Sequence, residues 1–142
     1  MKIQLVNLPF NPWDRLAQHE VASTLGSWGA TANFVGTMRD FNENSAVSQL
    51  FLEHYPGMTE KYLERIATQA IEKWNLVDAV IIHRVGEIKV GDAIVLVATW
   101  SAHREEAFDA CRYLIDELKH QAPFWKKETL SSGETRWVEK NT

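Results

Sequence analysis

The sequence predicts a single α+β domain, and three observations support that prediction. The chain has 142 residues, a length that fits one hydrophobic core. Two long segments carry apolar side chains at helical spacing, whereas other segments rich in Val, Ile and Leu have the composition of strands. No internal repeat, low-complexity tract or linker divides the sequence, so the helices and strands are expected to share one core.

Composition and charge exclude several classes of protein. Nineteen acidic and fifteen basic side chains give a net charge of -4, which argues against nucleic-acid binding because that needs a basic surface. No apolar run is long enough to span a membrane, and the first ten residues lack the features of a signal peptide. The single cysteine, Cys111, cannot form an internal disulfide. A cytoplasmic protein that contacts neither membrane nor nucleic acid is therefore expected.

The first part of the chain predicts a short helix followed by two strands. The helix is expected over Asp14–Leu25, with Asp14 as its N-cap and Gly26 as its stop. Small and apolar residues over 29–35 and strand-forming residues over 47–55 then flank a polar stretch. Two strands joined by a flexible polar loop are therefore expected.

The middle of the chain predicts a long helix and three strands. From Met58 to Trp74 apolar residues recur every four residues, which is the spacing of one buried helix face. The segments Val77–Val85 and Ala93–Trp100 are dense in Val, Ile and Leu and are expected to be buried strands. Glycine turn signals between them flank a short extra strand, Glu87–Val90.

The last part of the chain predicts a second long helix and a hairpin. Ser101 is a good N-cap, and a stripe of apolar residues predicts a helix over residues 102–120. Pro123 prevents much continuation of that helix. The segments Phe124–Thr129 and Thr135–Glu139 flank a Ser-Ser-Gly turn, so two paired strands are expected there.

Basic residues concentrate near the end of the second long helix, although the chain is acidic overall. Lys119 lies one helical step beyond Ile115, which places its stem near the apolar stripe. One interpretation is a lysine that extends to solvent and complements the helix C-terminus. The other is a lysine in a partly enclosed pocket, where desolvation disfavours its charge and makes the amine a usable nucleophile or proton donor. The position of Lys119 in the sequence leaves both open.

Two further basic pairs flank that helix. His103 and Arg104 begin it directly after a predicted buried strand, where free backbone N–H groups favour an anion such as phosphate or carboxylate. A generic surface arginine at a helix start is an equally good interpretation. Lys126 and Lys127 are neighbours on a predicted strand, so their side chains are expected on opposite faces and only one can share a site with Lys119.

Familiar catalytic and metal-binding motifs are missing. The sequence lacks the glycine-rich phosphate loops, the HExxH zinc motif, paired cysteines and GxSxG. His19, His54 and His83 lack the spacing of metal ligands and are interpreted as polar or core-edge residues, so neither a metal nor a cofactor is expected. Cys111 lies on the apolar stripe and is expected to be an inert buried thiol. The residues by themselves predict an anion-binding pocket built from basic side chains.

Five short blocks follow one another between about Ala30 and Val138. They are Phe34–Arg39, Leu52–Met58, His83–Gly86, Ser101–Arg104, and Pro123–Glu128 followed by Trp137-Val138. In this order and spacing they resemble the large catalytic subunit of molybdopterin synthase, the MoaE family. The resemblance covers most of the chain, and the first 28 residues add little to it.

The resemblance implies an α/β-hammerhead fold with an antiparallel sheet, helices and a small added β subdomain. It also implies a sulfurtransferase of molybdenum cofactor biosynthesis. In that family the large subunit forms a homodimer, and each copy binds a small ubiquitin-like carrier subunit whose C-terminal Gly-Gly tail ends in a thiocarboxylate. Within the resulting heterotetramer, sulfur is transferred twice to cyclic pyranopterin monophosphate, which opens the cyclic phosphate and forms the dithiolene of molybdopterin. The large subunit of the family holds no metal.

The resemblance further implies which residues form the site. Arg39, His103 and Arg104 are expected to hold the phosphate and the pterin. Lys119 and Lys126 are expected to be catalytic and to face the thiocarboxylate. The substrate-binding residues carried over are Thr37, Met38, Arg39, His103, Arg104, Lys119, Lys126, Lys127 and Glu128.

One departure from the family concerns its cross-subunit arginine, which follows the Trp-Val-Glu segment. This chain has Lys140 there, so either Lys140 or Arg136 replaces that arginine, or the contact is absent. An alternative function is a non-catalytic, anion-binding scaffold of the same fold, although a scaffold has no need of both lysines. A nucleotide or RNA binder of ferredoxin-like shape is disfavoured by the acidic balance and by the lack of an aromatic strand motif among basic residues.

Overall fold

The structure, a computed structural model, describes residues 1–138, which form two β-sheets and three helices. In chain order the elements are β1 (Lys2–Val6), α1 (Pro12–Gln18), β2 (Ala30–Thr37), β3 (Phe41–Asn42), β4 (Ser45–His54), α2 (Met58–Trp74), β5 (Asp78–Arg84), β6 (Gly86–Lys89), β7 (Ala93–Ser101), α3 (Arg104–His120), β8 (Phe124–Leu130) and β9 (Thr135–Val138).

The larger sheet, with strand order β1-β5-β7-β2, forms the centre of the fold. Helices α2 and α3 contribute Leu63 and Leu114 to the main core on one of its faces. The other face packs Trp100 against residues of the N-terminal segment, including Leu16 of α1. Because both faces are covered, β5 is buried along its whole length and β7 along all of it except Ile94. That double burial explains why the central parts of these strands, Ala79–Ile82 and Ala93–Ala98, are apolar without alternation in the sequence.

The smaller sheet has strand order β3-β4-β8-β9, and β6 pairs with β4 beside it. Its core is a separate cluster that includes Leu50, Leu52 and Ile88. Phe124 and Ile94 pack against both clusters and therefore mark the line where the two sheets meet. This smaller sheet is the β subdomain that the family resemblance implies, and the α+β fold class is confirmed.

Most of the predicted elements are confirmed. Helix α2 has its predicted bounds, Met58–Trp74, and ends before Asn75, whose left-handed backbone at φ 50° closes the last turn. Strands β5, β6 and β7 begin and end within one residue of their predicted limits, and the hairpin β8–β9 does so over the described residues. The two strands before α2 are present as β2 and β4, and the loop between them contains the short strand β3.

The prediction for the first helix was wrong at both ends. The N-cap is Asn11, whose side-chain oxygen accepts hydrogen bonds from the backbone N–H groups of Trp13 and Asp14 at 3.0 and 3.2 Å. The helix ends at Gln18, because the ring of His19 turns toward the buried Asp78 and lies 2.8 Å from its carboxylate. This tertiary contact overrides the helical spacing that continues in the sequence.

Two further differences concern the start of α3 and the direction of one strand pair. Ser101 is the last residue of β7 rather than the N-cap, which is His103, and the Ser101 hydroxyl donates to the carbonyl of His103. Strand β1 was not predicted, and it pairs with β5 in parallel, so the larger sheet is not wholly antiparallel. None of the helices in residues 1–138 has the length and apolar character that crossing a membrane requires.

Candidate active site

A pocket opens where the two sheets meet at the C-terminal end of α3. Its space measures about 890 Å³, including the part open to solvent. Segments from both sheets contribute to its wall, so the pocket exists only because the sheets pack together. The lining side chains that bear on its chemistry are Thr37, Met38, Arg39, Phe41, Asn42, His83, Lys119, Phe124, Lys126 and Glu128.

Two lysines from different elements line this pocket. Lys119 lies in the last turn of α3, and Lys126 is the third residue of β8. Burial, reinforced by the positive charges of Lys119 and Arg39, lowers the pKa of Lys126 to about 8. Burial and the charge of Arg39 likewise lower the pKa of Lys119. The structure therefore favours the pocket interpretation of Lys119 over the solvent-extended one.

Arg39 reaches the pocket from the segment that follows β2. The backbone of Met38 is held on both sides: its N–H donates to the carbonyl of Asp92 at 2.9 Å, and its carbonyl accepts from the N–H of Gly91 at 2.9 Å. Gly91 has φ 86°, a conformation that favours glycine, so the turn between β6 and β7 can make this contact. Met38 is consequently buried in the pocket wall, while Thr37 and Arg39 are exposed at its rim.

Strand alternation decides which residues of β8 enter the pocket. Lys126 and Glu128 line it, whereas the ammonium of Lys127 lies 5.8 Å from the centre of the Trp137 ring on the other face. The expectation that only one of the two adjacent lysines shares a site with Lys119 is confirmed. Lys127, predicted to bind the substrate, is thus not among the described residues that line the pocket.

Glu128 is the carboxylate of the pocket and is only 5% exposed. Its two oxygens have different partners. One accepts a hydrogen bond from Nε of Arg136 at 3.0 Å, and the other accepts from the side-chain amide of Asn42 at 3.0 Å. Of the two residues considered as a cross-subunit cation, Arg136 is thus engaged within its own chain, and Lys140 lies outside the described residues.

His103 and Arg104 are not brought to this pocket. They are exposed at the start of α3, and Lys119 lies near its end. The 15 residues from Arg104 to Lys119 rise by about 22 Å along a helix. Within a single chain, therefore, these two predicted phosphate ligands lie far from the two lysines.

His83 is a pocket residue that the sequence did not single out as functional. Its Nδ1 lies 2.8 Å from the carbonyl oxygen of Arg84, so Nδ1 carries the proton and Nε2 keeps the lone pair. Burial, together with the charges of Lys126 and Lys119, lowers the pKa of His83 to about 4 and keeps the ring neutral near pH 7. Two signals in the sequence point to it: the block His83–Gly86 is one of the five that carry the family resemblance, and a polar residue follows the apolar run Ala79–Ile82.

The structure gives no catalytic role to the cysteine. Cys111 is buried, and burial raises the pKa of its thiol to about 11, which agrees with an inert thiol. Within residues 1–138, no group of three or more His, Cys, Asp or Glu side chains has an arrangement that could hold a metal ion. The polar groups that line the pocket include ammonium, guanidinium, imidazole and carboxylate groups.

The chain matches the family model described as MoaE protein over residues 9–121. That span covers most of the 142 residues. The chain belongs to the MoaE family. Lys119 lies inside the matched span, whereas Lys126 and Glu128 lie just beyond it, so longer alignments are needed to cover the whole pocket.

Relatives of this MoaE family member carry the name molybdopterin synthase catalytic subunit. One from Pseudomonas aeruginosa is 49% identical over 140 residues, which is 98% of this chain and 91% of the relative. One from Ralstonia nicotianae is 56% identical over 111 residues, which is 78% of this chain and 62% of the relative, less than two thirds of its length. The alignment with the Pseudomonas protein includes both β strands of the C-terminal hairpin.

Solved structures match the fold over nearly the whole chain. Molybdopterin synthase from Staphylococcus aureus superposes with a TM-score of 0.82 at 30% identity, covering 94% of each chain. A protein–protein complex of subunits 1 and 2 of molybdopterin-converting factor from Helicobacter pylori contains the same fold, with a TM-score of 0.79, 18% identity, and coverage of 99% of this chain and 92% of that one. At that identity the second likeness establishes the fold alone.

Proposed function

We propose that this protein is the catalytic subunit of molybdopterin synthase and transfers sulfur to cyclic pyranopterin monophosphate. The sulfur comes from the C-terminal thiocarboxylate of a small ubiquitin-like carrier subunit. The observation that carries this proposal is the meeting of Lys119, Lys126 and Arg39 in one pocket, three cations that reach it from different parts of the chain. Relatives that cover most of the chain have the corresponding name.

The pocket has the groups that sulfur transfer from a thiocarboxylate needs. The thiocarboxylate sulfur bonds to a substrate carbon as an oxygen leaves that carbon, and water then attacks the resulting thioester, so the carrier departs as a carboxylate and the sulfur stays on the substrate. During that attack the acyl oxygen takes on negative charge, which a nearby ammonium stabilises. An ammonium with a lowered pKa also gives up its proton more readily to a leaving oxygen. Lys126, with its pKa near 8, suits both tasks. Arg39 at the rim supplies a fixed positive charge for the phosphate.

His103 and Arg104 fit this proposal when the protein is a homodimer. They lie about 22 Å along α3 from Lys119, too far to hold the same small substrate within one chain. A second copy can bring its own His103 and Arg104 to the pocket of the first. Phe108, one turn further along α3, is 65% exposed and offers apolar surface for such a contact. The assembly is then a dimer with one carrier subunit at each pocket.

The alternative is a scaffold that keeps the fold and binds anions without turnover. A scaffold gains nothing from a half-buried lysine whose pKa is lowered, because an exposed lysine binds an anion at a lower desolvation cost. The lowered pKa of Lys126 therefore favours an enzyme. Sulfur transfer in the cytoplasm, with no metal or cofactor resident in this subunit, completes the proposed function.

The test is direct reconstitution. Purified protein is mixed with a thiocarboxylated carrier and cyclic pyranopterin monophosphate, and the dithiolene product is measured. The proposal expects product only when all three components are present. A carrier ending in an ordinary carboxylate is the matched control. Binding of carrier and substrate without any product would support the scaffold instead.

A further inference from the structure

Glu128 and Lys126 share one face of β8 and carry opposite charges, yet they do not form an ion pair with each other. The ion pair of Glu128 within the described residues is with Arg136, on the neighbouring strand β9. Two charged groups at alternate positions of one strand are close enough to pair if both side chains are free to turn. Something must therefore hold the carboxylate away from the lysine.

Three hydrogen bonds close a ring of residues around this carboxylate. Arg136 donates through Nε to one oxygen of Glu128 at 3.0 Å, and Asn42 donates through its amide to the other at 3.0 Å. Arg136 also donates through Nη2 to the backbone carbonyl of Asn42 at 2.7 Å. Each donor thus supports the position of the other, and both oxygens of the carboxylate are occupied.

The backbone that places Asn42 is itself unusual. Asn42 pairs with Ser45 across a two-residue turn, in which Glu43 and Asn44 have φ of 49° and 61°. Positive φ at both positions is the signature of the tight turn that joins twisted antiparallel strands. The carboxylate of Glu43 lies 3.9 Å from Nη1 of Arg136, so this guanidinium is near two carboxylates, those of Glu43 in the turn and Glu128 on β8.

We propose that Arg136 and Asn42 are positioning residues that clamp Glu128 and prevent it from pairing with Lys126. The inference rests on the proposed function only for its activity readout. The clamp leaves Lys126 facing Lys119 from α3, Arg39 from the segment after β2 and His83 from β5. Burial and the charges of Lys119 and Arg39 lower the pKa of Lys126, and Glu128 already opposes them from its clamped position. A freed Glu128 that paired directly with the ammonium would raise this pKa further. Arg136 then serves the pocket of its own chain.

The test measures the pKa of Lys126 directly. The Cε resonance of Lys126, assigned from its loss in Lys126→Arg, is titrated in the full-length protein and in two variants. In Arg136→Gln, Glu128 loses one partner and the pKa of Lys126 is expected to rise by about 1. In Asn42→Ala, which changes no charge and keeps the Arg136 ion pair, a smaller rise is expected. Arg112→Gln, an exposed arginine on α3, is the control with the same charge change.

A double variant separates the clamp from a direct effect of the Arg136 charge. If Arg136 acts through Glu128, adding Arg136→Gln to Glu128→Gln leaves the pKa of Lys126 where Glu128→Gln alone puts it. A rise that persists without the carboxylate overturns the proposal, and so does an unchanged pKa in both Arg136→Gln and Asn42→Ala. In the sulfur-transfer assay, the pH at which the rate changes is expected to move upward with the pKa of Lys126. If the wild-type protein makes no product, the proposed function fails while the titration still decides the clamp.

Discussion

The imidazole of His83 stacks on the ring of Phe124, with ring centres 4.2 Å apart and planes 20° from parallel. His83 belongs to β5 of the larger sheet, and Phe124 begins β8 of the smaller one. The pair therefore joins the two sheets at the floor of the pocket, two residues before Lys126. This contact stabilises the packing of the two sheets and, with it, the position of the residues that line the pocket.

His83 is expected to make the stability of the protein fall as the pH falls from 6.5 to 4. Its pKa is lowered from the ordinary 6.5 to about 4, so across this interval the unfolded chain binds a proton there that the folded chain does not. The difference corresponds to about 3 kcal/mol of unfolding free energy. Urea unfolding at several pH values measures it in the wild type and in His83→Asn, which keeps a donor near the Arg84 carbonyl. The variant is expected to lose about 3 kcal/mol less; equal losses in both proteins, or the same reduction in the exposed control His120→Asn, would contradict the assignment.

Replacing either pocket lysine by alanine is expected to lower turnover by a factor on the order of 100 or more, because each removes a group that stabilises the developing oxyanion. The reconstituted assay with Lys119→Ala and Lys126→Ala measures the effect. Lys61→Ala, an exposed lysine on α2, is the matched control and should retain full activity. Undiminished product in both pocket variants would remove the lysines from the mechanism.

Lys126→Met is expected to make the protein more stable while it lowers turnover as Lys126→Ala does. The pKa of Lys126 is lowered from 10.5 to about 8, so the folded state bears the cost of a buried ammonium at every pH below 8. That cost disappears as the pH rises toward 10.5. Unfolding by urea at pH 7 should show a gain on the order of 1–3 kcal/mol that shrinks at high pH. No gain, or the same gain in Lys61→Met, would show that the ammonium is not disfavoured by burial.

A site shared between two copies predicts complementation between inactive variants. In a mixed dimer of Arg104→Ala and Lys126→Ala, one of the two pockets receives Lys126 from one chain and Arg104 from the other, and is intact. Random mixing makes half of the dimers mixed, so activity is expected to recover to about a quarter of the wild-type value. The measurement is product formation after the two variants are unfolded and refolded together. Recovery no greater than the sum of the separate variants would place Arg104 outside the shared site.

The corrected start of α1 predicts different costs for two neighbouring substitutions. Asn11→Ala removes the acceptor for two backbone N–H groups and should lower the unfolding free energy by about 1 kcal/mol. Asp14→Ala leaves those hydrogen bonds in place and should cost less. Thermal unfolding of both variants compares them, and the reverse order would restore Asp14 as the cap.

The elements that depend on local pattern were predictable from the sequence. The periodicity of α2 and the apolar runs of β5 and β7 arise from burial, which the sequence encodes directly. The end of α1 was not predictable, because it is set by the contact between His19 and Asp78, which are 59 residues apart. Strand β1 was missed since its five residues are mostly half-exposed and carry a weak apolar pattern.

The site was predictable in part for similar reasons. Lys119 could be placed near the apolar stripe by helical geometry, and the separation of Lys126 from Lys127 followed from strand alternation. The place of His83 in the pocket depends on how the two sheets pack, which no local pattern reveals. The distance from Arg104 to Lys119 could have been read from helix length alone, since 15 residues of helix rise by about 22 Å.

Because β8 has two consecutive lysines, the groups that enter the pocket depend on the register of this strand. A slip of this strand by one position would still present an ammonium inward, because Lys127 would take the place of Lys126. Thr129 would then replace Glu128, and the only inward carboxylate of the strand would be turned to solvent. The hydrogen bonds that Glu128 accepts from Asn42 on β3 and Arg136 on β9 can form only in the correct register. They therefore stabilise that register over one shifted by a single residue.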